Sequence, residues 1–164
     1  MAQGIVTDYL CDVFSPSLFQ TLVEETIRKA REIREDDAFD TIAFSGTSGC
    51  ALGFILGHAL DVPIICIRRH GEESHYHAWR EENNRAFEGN SDTKRYLIVD
   101  DFIASGNTVN RIMDIIRYNC GLDAKCVAML MYRQAPKVKV FHPRDADLSR
   151  THENGIFAYS LASF

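Results

Sequence analysis

A chain of 164 residues can bury a core of its own without disulfide or metal staples, and its length points to one domain or a core with a small appendage. A composition of 46% hydrophobic and 25% charged residues excludes a disordered polymer, and no apolar run approaches the length of a membrane-spanning helix. Eighteen basic against 23 acidic side chains leave a net charge of −5, which argues against nucleic acid or a membrane surface as partner and leaves anionic small molecules open.

The N-terminal MAQGIVTDYLCD lacks the basic and apolar regions of a signal peptide. Five cysteines (Cys11, Cys50, Cys66, Cys120, Cys126) form no CxxC pair. Their odd number and apolar neighbours point to reduced, mostly buried thiols and a cytoplasmic protein. Ser15-Pro16-Ser17 opens a helix, with serine as N-cap and proline in the first helical position. Leu22, Val23, Ile27, Ala30 and Ile33 follow at helical spacing, with charged residues around the other faces. Thr41–Phe44 reads as a buried strand, broken by Ser45-Gly46-Thr47-Ser48-Gly49, and Cys50–Leu60 as an apolar helix. Gly53 and Gly57, four apart, let one face of that helix approach a sheet closely. Val62–Ile67 is a second buried strand.

Residues 70–94 have no clean period, and a structureless stretch of that length in a compact domain is characteristic of a lid or binding loop; Ala78–Ala86 within it is a possible helix. Tyr96–Val99 is a third strand, ending in Asp100-Asp101. A turn at Ser105–Thr108 leads into a helix over Val109–Tyr118, with Ile112, Ile115 and Ile116 inward. Ala124–Met131 is a fourth strand, Lys137–Phe141 alternates as a half-exposed strand, and Ile156–Leu161 is a last one. Strands alternating with helices specify an open α/β fold whose sheet is mostly parallel, with helices on both faces.

Ligands of such sheets bind beyond the C-terminal strand ends. Two adjacent carboxylates at one such end, Asp100 and Asp101, are costly unless solvated, hydrogen-bonded or facing a positive group. Directly after them, the backbone N–H groups and the hydroxyls of Ser105 and Thr108 converge at a helix N-terminus, an anion cradle suited to phosphate. One continuous segment thus offers acceptors for sugar hydroxyls and donors for a phosphate, which is what a ribose 5-phosphate requires.

The segment Tyr96–Thr108, YLIVDDFIASGNT, resembles the phosphoribosyl-pyrophosphate (PRPP) motif of the type I phosphoribosyltransferases, with Phe102 bulkier than usual. The order of parts is similar too: a pyrophosphate loop after the first core strand (Ser45–Gly49), a basic residue after the next (Arg68-Arg69), then a long loop that closes over the reaction. The resemblance covers roughly residues 40–132. It implies a single phosphoribosyltransferase domain over 1–164, with a core at about 36–132, a lid at about 70–94 and a small hood from the chain ends (1–15 and 133–164). It also implies that Asp100 and Asp101 hold the ribose hydroxyls directly or through Mg2+, and that Ala104, Ser105, Gly106, Asn107 and Thr108 hold the 5-phosphate. Ser45, Gly46 and Thr47 would meet the pyrophosphate, Arg68 or Arg69 would neutralise it, and Ser74 and Tyr76 would add lid hydroxyls. His75 interrupts the Ser-Tyr pair that several members carry there.

The implied reaction is transfer of ribose 5-phosphate from PRPP to a nucleobase with release of pyrophosphate, by a Mg2+-dependent homodimer. Hypoxanthine–guanine members carry an aspartate three residues after the second acid, where this chain has Ala104. The Ala-Ser-Gly turn is closest to the adenine type, so a purine is favoured, adenine first. The alternative within the same fold is a regulatory protein that binds PRPP or a nucleotide without catalysis.

Other readings compete. Gly46–Gly49 lacks the Gly-Lys-Ser/Thr of a P-loop. Gly46-Thr47-Ser48-Gly49-Cys50 has the spacing of a nucleophile elbow but cysteine at its last place; a serine hydrolase would need Ser48 with an Asp or Glu and a histidine at downstream strand ends, the histidine being His142 or His152. His70, His75 and His77 invite a metal reading, against which solvated loop histidines are favoured. Trp79 and Phe87 can stack on a base or pack on the core, packing being favoured. Cys50 and Cys66 read as core, and Lys137 and Lys139 as the wet face of an edge strand.

Overall fold

In the computed structural model, which describes residues 10–69, 71–72, 86–103, 105–133, 140–141 and 156–161, the first long helix starts where proline places it. A short helix α1 (Cys11–Phe14) precedes α2 (Pro16–Asp36). Ser15 is extended and its side chain makes no cap bond, so Pro16, with its fixed φ, sets the start. Leu22, Thr26, Ala30 and Ile33 form the buried stripe. On the outer side Arg28 bridges Glu25 and Glu32 in exposed pairs that contribute little to stability.

The expected break after the first strand is smaller than the sequence suggests. Strand β1 (Thr41–Ser45) runs directly into α3 (Gly46–Leu60), which begins four residues ahead of the expected Cys50. Gly46 takes φ +65°, a left-handed conformation that costs glycine nothing, and the chain turns from strand to helix at that single residue. The small residues Thr47, Ser48 and Gly49 are therefore helical rather than a free loop.

Strand β2 (Ile64–Ile67) is followed by β3 (Phe87–Gly89), β4 (Arg95–Asp100), helix α4 (Asn107–Cys120), β5 (Lys125–Met131), β6 (Val140–Phe141) and β7 (Ile156–Ser160). The described strands form one seven-stranded sheet of order β3-β2-β1-β4-β5-β7-β6, parallel from β2 to β7, with antiparallel β3 and β6 at its edges.

Two boundaries read from sequence move. The span 70–94 is not loop throughout, because β3 pairs with β2 through Ile67↔Phe87, Cys66↔Glu88 and Ile65↔Gly89; three residues are too few to show alternation. The helix anticipated over 78–86 lies outside the described residues apart from buried Ala86. Beyond residue 132 the chain returns to the main sheet, since β7 lies parallel beside β5. Of the strand expected at Lys137–Phe141, only Val140–Phe141 falls within the described residues.

Helices cover both faces. Along β1, Ile42 and Phe44 pack with α2 and α3, while Ala43 packs with α4 through Ile65, Ile98, Ile112 and Ile116. Asp40 pins the starts of the central strands, its Oδ2 accepting the N–H groups of Lys94 and Arg95 at 3.1 Å each. The thiols divide differently from expectation: Cys126 is buried, but Cys50 is exposed and Cys11, Cys66 and Cys120 are half-buried. Cys50 lies on the outer side of α3, away from the buried stripe of Leu52, Gly53 and Leu56. Burial pushes the Cys66 thiol up to about 11, so it stays protonated and inert near neutrality.

Gly53 faces the Phe44 ring so closely that a Cβ there would lie 2.6 Å from both Cγ and Cε1. An alanine in a helix is ordinarily favoured over glycine by up to about 1 kcal/mol. Gly53→Ala is expected to reverse that sign and lower stability by about 1–3 kcal/mol through overpacking. Chemical denaturation of the two proteins checks this; a variant as stable as the parent would mean that the ring moves aside freely.

Candidate active site

Strand β4 carries its buried run, Tyr96–Val99, straight into Asp100 and Asp101, which are only 6% and 4% exposed. Because β4 lies between β1 and β5, neither carboxylate has a sheet edge through which to reach water. Asp100 Oδ1 accepts the Ser48 hydroxyl at 2.8 Å and the Asp101 N–H at 3.0 Å. Ser48 is held in turn by Tyr132, whose hydroxyl donates to the Ser48 carbonyl at 2.8 Å. Burial pushes the Asp100 carboxyl up to about 7; the Ser48 hydrogen bond opposes the shift and the neighbouring Asp101 charge adds to it. Asp101 Oδ2 is buried and has no hydrogen-bond partner among the described residues.

Beyond the acids, Gly106 (φ +77°) caps α4, and the first helical bond described there runs from the Asn110 N–H to the Gly106 carbonyl at 2.9 Å. The N–H groups of Asn107, Thr108 and Val109 thus precede the helical ladder, in the arrangement that binds anions. The Asn107 N–H has a long contact, 3.4 Å, to the Ser105 hydroxyl.

A cleft of about 450 Å³ unites these groups, lined by Ser45, Ser48, Arg69, Asp100–Ile103 and Ser105–Val109, with Arg111. Arg69 reaches it by lying over Gly46, where a Cβ would sit 2.5 Å from Nη2 and 2.7 Å from Cζ. A side chain at residue 46 would displace that guanidinium, so the glycine serves both the turn and the cation.

Asp100, Asp101, Arg69, Ser45, Ser105, Gly106, Asn107 and Thr108 line the cleft, and Gly46 lies beneath Arg69. The Ser45 hydroxyl is committed to the Ile67 carbonyl at 2.7 Å, which ties the ends of β1 and β2 together. Thr47 is exposed and is not among the lining residues. Arg68 turns to the edge strand instead, pairing with Glu88 at 2.6 Å, because adjacent residues at the end of β2 point to opposite sides. Ala104, Ser74 and Tyr76 lie outside the described residues, as do Trp79 and the histidines His70, His75, His77, His142 and His152. Phe87 packs on the core.

Ser48 does not have the surroundings of a hydrolase nucleophile. Its hydroxyl donates to a carboxylate, and His58, the one described histidine, is exposed on the same helix. Ser48 and Tyr132 were missed as supports of the acids because their partners are 52 and 84 residues away in the chain. Arg111 did leave a signal: it stands four residues before buried Ile115, where the apolar stripe of α4 calls for an apolar side chain.

Among the described residues no three metal-ligating side chains converge. Two carboxylates, one oxygen of which lacks a partner, nevertheless suit a hard cation that draws its other ligands from substrate phosphates and water, the usual binding mode of Mg2+.

The family model of the phosphoribosyl transferase domain matches residues 24–163, and the chain belongs to that family. Over 151 residues, 86% of both chains, it is 25% identical to an adenine phosphoribosyltransferase of Prochlorococcus marinus. Two solved structures are similar in fold. One is the Saccharomyces cerevisiae adenine phosphoribosyltransferase complexed with an imino-altritol bisphosphate and adenine (TM-score 0.62, 18% identity, covering 94% of this chain and 85% of that one). The other is the Mycobacterium tuberculosis orotate phosphoribosyltransferase in complex with PRPP (TM-score 0.62, 14% identity, 98% and 81%). The fold is that of the type I phosphoribosyltransferases. Among the described residues no helix is long and apolar enough to cross a membrane.

The raised Asp100 carboxyl gives stability a direction with pH. An unfolded aspartate loses its proton near pH 3.9, whereas the folded one holds it to about 7. The folded chain therefore binds more protons between those values. The contribution is complete below about pH 4 and is lost as pH rises through 7. Asp100→Asn, which cannot ionise, is expected to gain on the parent from pH 4 to 8 in urea-denaturation midpoints. Parallel pH profiles would mean that Asp100 is ionised in the fold throughout.

Proposed function

We propose that this chain is a nucleobase phosphoribosyltransferase, transferring ribose 5-phosphate from PRPP to a purine, adenine first, with release of pyrophosphate. One observation carries the reading. A buried acid pair with an unpartnered oxygen shares a single cleft with an open helix N-terminus and an arginine, the acceptors and donors that a phosphorylated sugar needs. In this reading Asp100 and Asp101 accept hydrogen bonds from the ribose hydroxyls and orient the ring. The backbone N–H groups of Ser105–Thr108, with Ala104, hold the 5-phosphate. Arg69 neutralises the departing pyrophosphate, its planar guanidinium matching phosphate oxygens.

The base nitrogen forms its bond to C1 as the C1–oxygen bond breaks and the electron pair leaves with pyrophosphate, through an oxocarbenium-like transition state, and the nitrogen's proton is released to solvent. Mg2+ held by the acid pair, when bound, would supply further charge neutralisation at the leaving group. Preference for adenine rests on the relative at 25% identity and on Ala104 standing where hypoxanthine–guanine members carry an acid; orotate enzymes share the fold, so orotate belongs in the test.

The test is a panel of adenine, hypoxanthine, guanine, xanthine and orotate at saturating PRPP and Mg2+, read as pyrophosphate release. Turnover with adenine is the expected result. Turnover with orotate alone would replace the purine, and PRPP binding with no turnover would replace the enzyme with a regulatory binder. Asp101→Asn removes a charge-assisted acceptor and is expected to weaken PRPP binding roughly 10- to 100-fold, the equivalent of about 1.5–3 kcal/mol. No turnover with any base, together with unchanged PRPP affinity in this variant, sinks the proposal.

A further inference from the structure

Arg111 stands in α4 five residues beyond its cap, on the side that meets the end of β2. Its Nη2 donates to the Arg68 carbonyl at 3.1 Å, and Arg111 is one of the residues that line the cleft. Its Nε is buried and has no acceptor among the described residues, and no described carboxylate pairs with it. A guanidinium remains protonated at any working pH, and a buried charged donor without an acceptor is costly. The sheet side of α4 is filled by Val109, Ile112 and Ile116.

We propose that Arg111 is a further substrate-binding residue: its Nε donates to a phosphate oxygen of the phosphorylated sugar while Nη2 keeps its hold on the Arg68 carbonyl. The inference rests on the PRPP reading above and adds to it a contact that the sequence motif does not contain. The ligand chemistry follows from the neighbours. Arg69 and the N–H groups at the start of α4 face the same cleft, so Arg111 adds a donor to a set that already selects an anion, and its planar fork matches tetrahedral oxyanions. The bond to the Arg68 carbonyl also makes Arg111 a brace between α4 and the backbone that carries Arg69.

The experiment titrates the parent, Arg111→Lys and Arg111→Gln with PRPP, ribose 5-phosphate and inorganic pyrophosphate by calorimetry, alongside ligand-free thermal melts. Lysine keeps the charge but loses the second directed donor. Arg111→Lys is expected to melt close to the parent, to bind PRPP at least tenfold more weakly and to raise the KM for PRPP while leaving that for the base unchanged. Arg111→Gln is expected to bind more weakly still. Weakening confined to ribose 5-phosphate or to pyrophosphate identifies which phosphate is held, and either result supports the contact. PRPP affinity within twofold of the parent in Arg111→Lys overturns it, as does lowered melting with unchanged affinity, which would leave Arg111 a structural brace alone. A parent that binds none of the three ligands overturns this inference together with the PRPP reading, whereas the other two failures leave that reading standing.

Discussion

Two carboxylates leave water at the end of the central strand, and much of the surrounding architecture serves to make that tolerable. Asp100 spends one oxygen on two donors, the Ser48 hydroxyl and the Asp101 N–H. Ser48 can serve because α3 starts at Gly46 without an intervening loop, which brings its first turn over the end of β4. Tyr132, just past β5, then fixes that turn from the other side. Three separate chain segments therefore converge on one acid, and the residual cost shows in the upward shift of its carboxyl. What they leave unmet is the second oxygen of Asp101, a residue that lines the cleft.

The rest of the sheet is ordered around the same strand end. Asp40 and the start of β4 lock the opposite end of the strands, and the two layers of helices bury the middle. Tension between close packing and open chemistry is resolved by small residues. Gly53 lets α3 lie against Phe44, and Gly46 lets Arg69 lie against α3. A guanidinium is thereby brought to the cleft of a chain whose net charge is −5, beside the backbone dipoles at the start of α4. Overall acidity is a property of the solvated surface and does not govern the field inside such a cleft.

The core strands, the long helices and the motif from Tyr96 to Thr108 were legible in the sequence because each has a strong local signature: a run of β-formers, a helical period, or a fixed order of residue classes. The Ser45–Gly49 segment looks like a loop in sequence because five small residues carry neither period, while a glycine at one left-handed position suffices for the turn. Arg68 and Arg69 could not be told apart from sequence. Their separation depends on β3, three residues long, which supplies Glu88 as partner for the first and leaves the second for the cleft. Chain-distant supports such as Ser48 and Tyr132 carry no local signal at all. Base choice was not legible either, since Ala104 and the chain ends offer only composition where a pocket shape is needed.

The short edge hairpin of β2 and β3 has an effect of a different kind. Its ladder, extended by the Arg68 N–H to the Ala86 carbonyl at 2.8 Å and by the Arg68–Glu88 pair, brings the two ends of the stretch between residues 69 and 85 to a single hydrogen bond's separation. The closure entropy of that stretch is borne by the stem, and it grows only slowly with length, by about 0.6 kcal/mol for each doubling. The stem is thus a fixed socket in which both ends are held. A change of length between those two ends leaves in place the pairing that joins them to the sheet carrying Asp100 and Asp101.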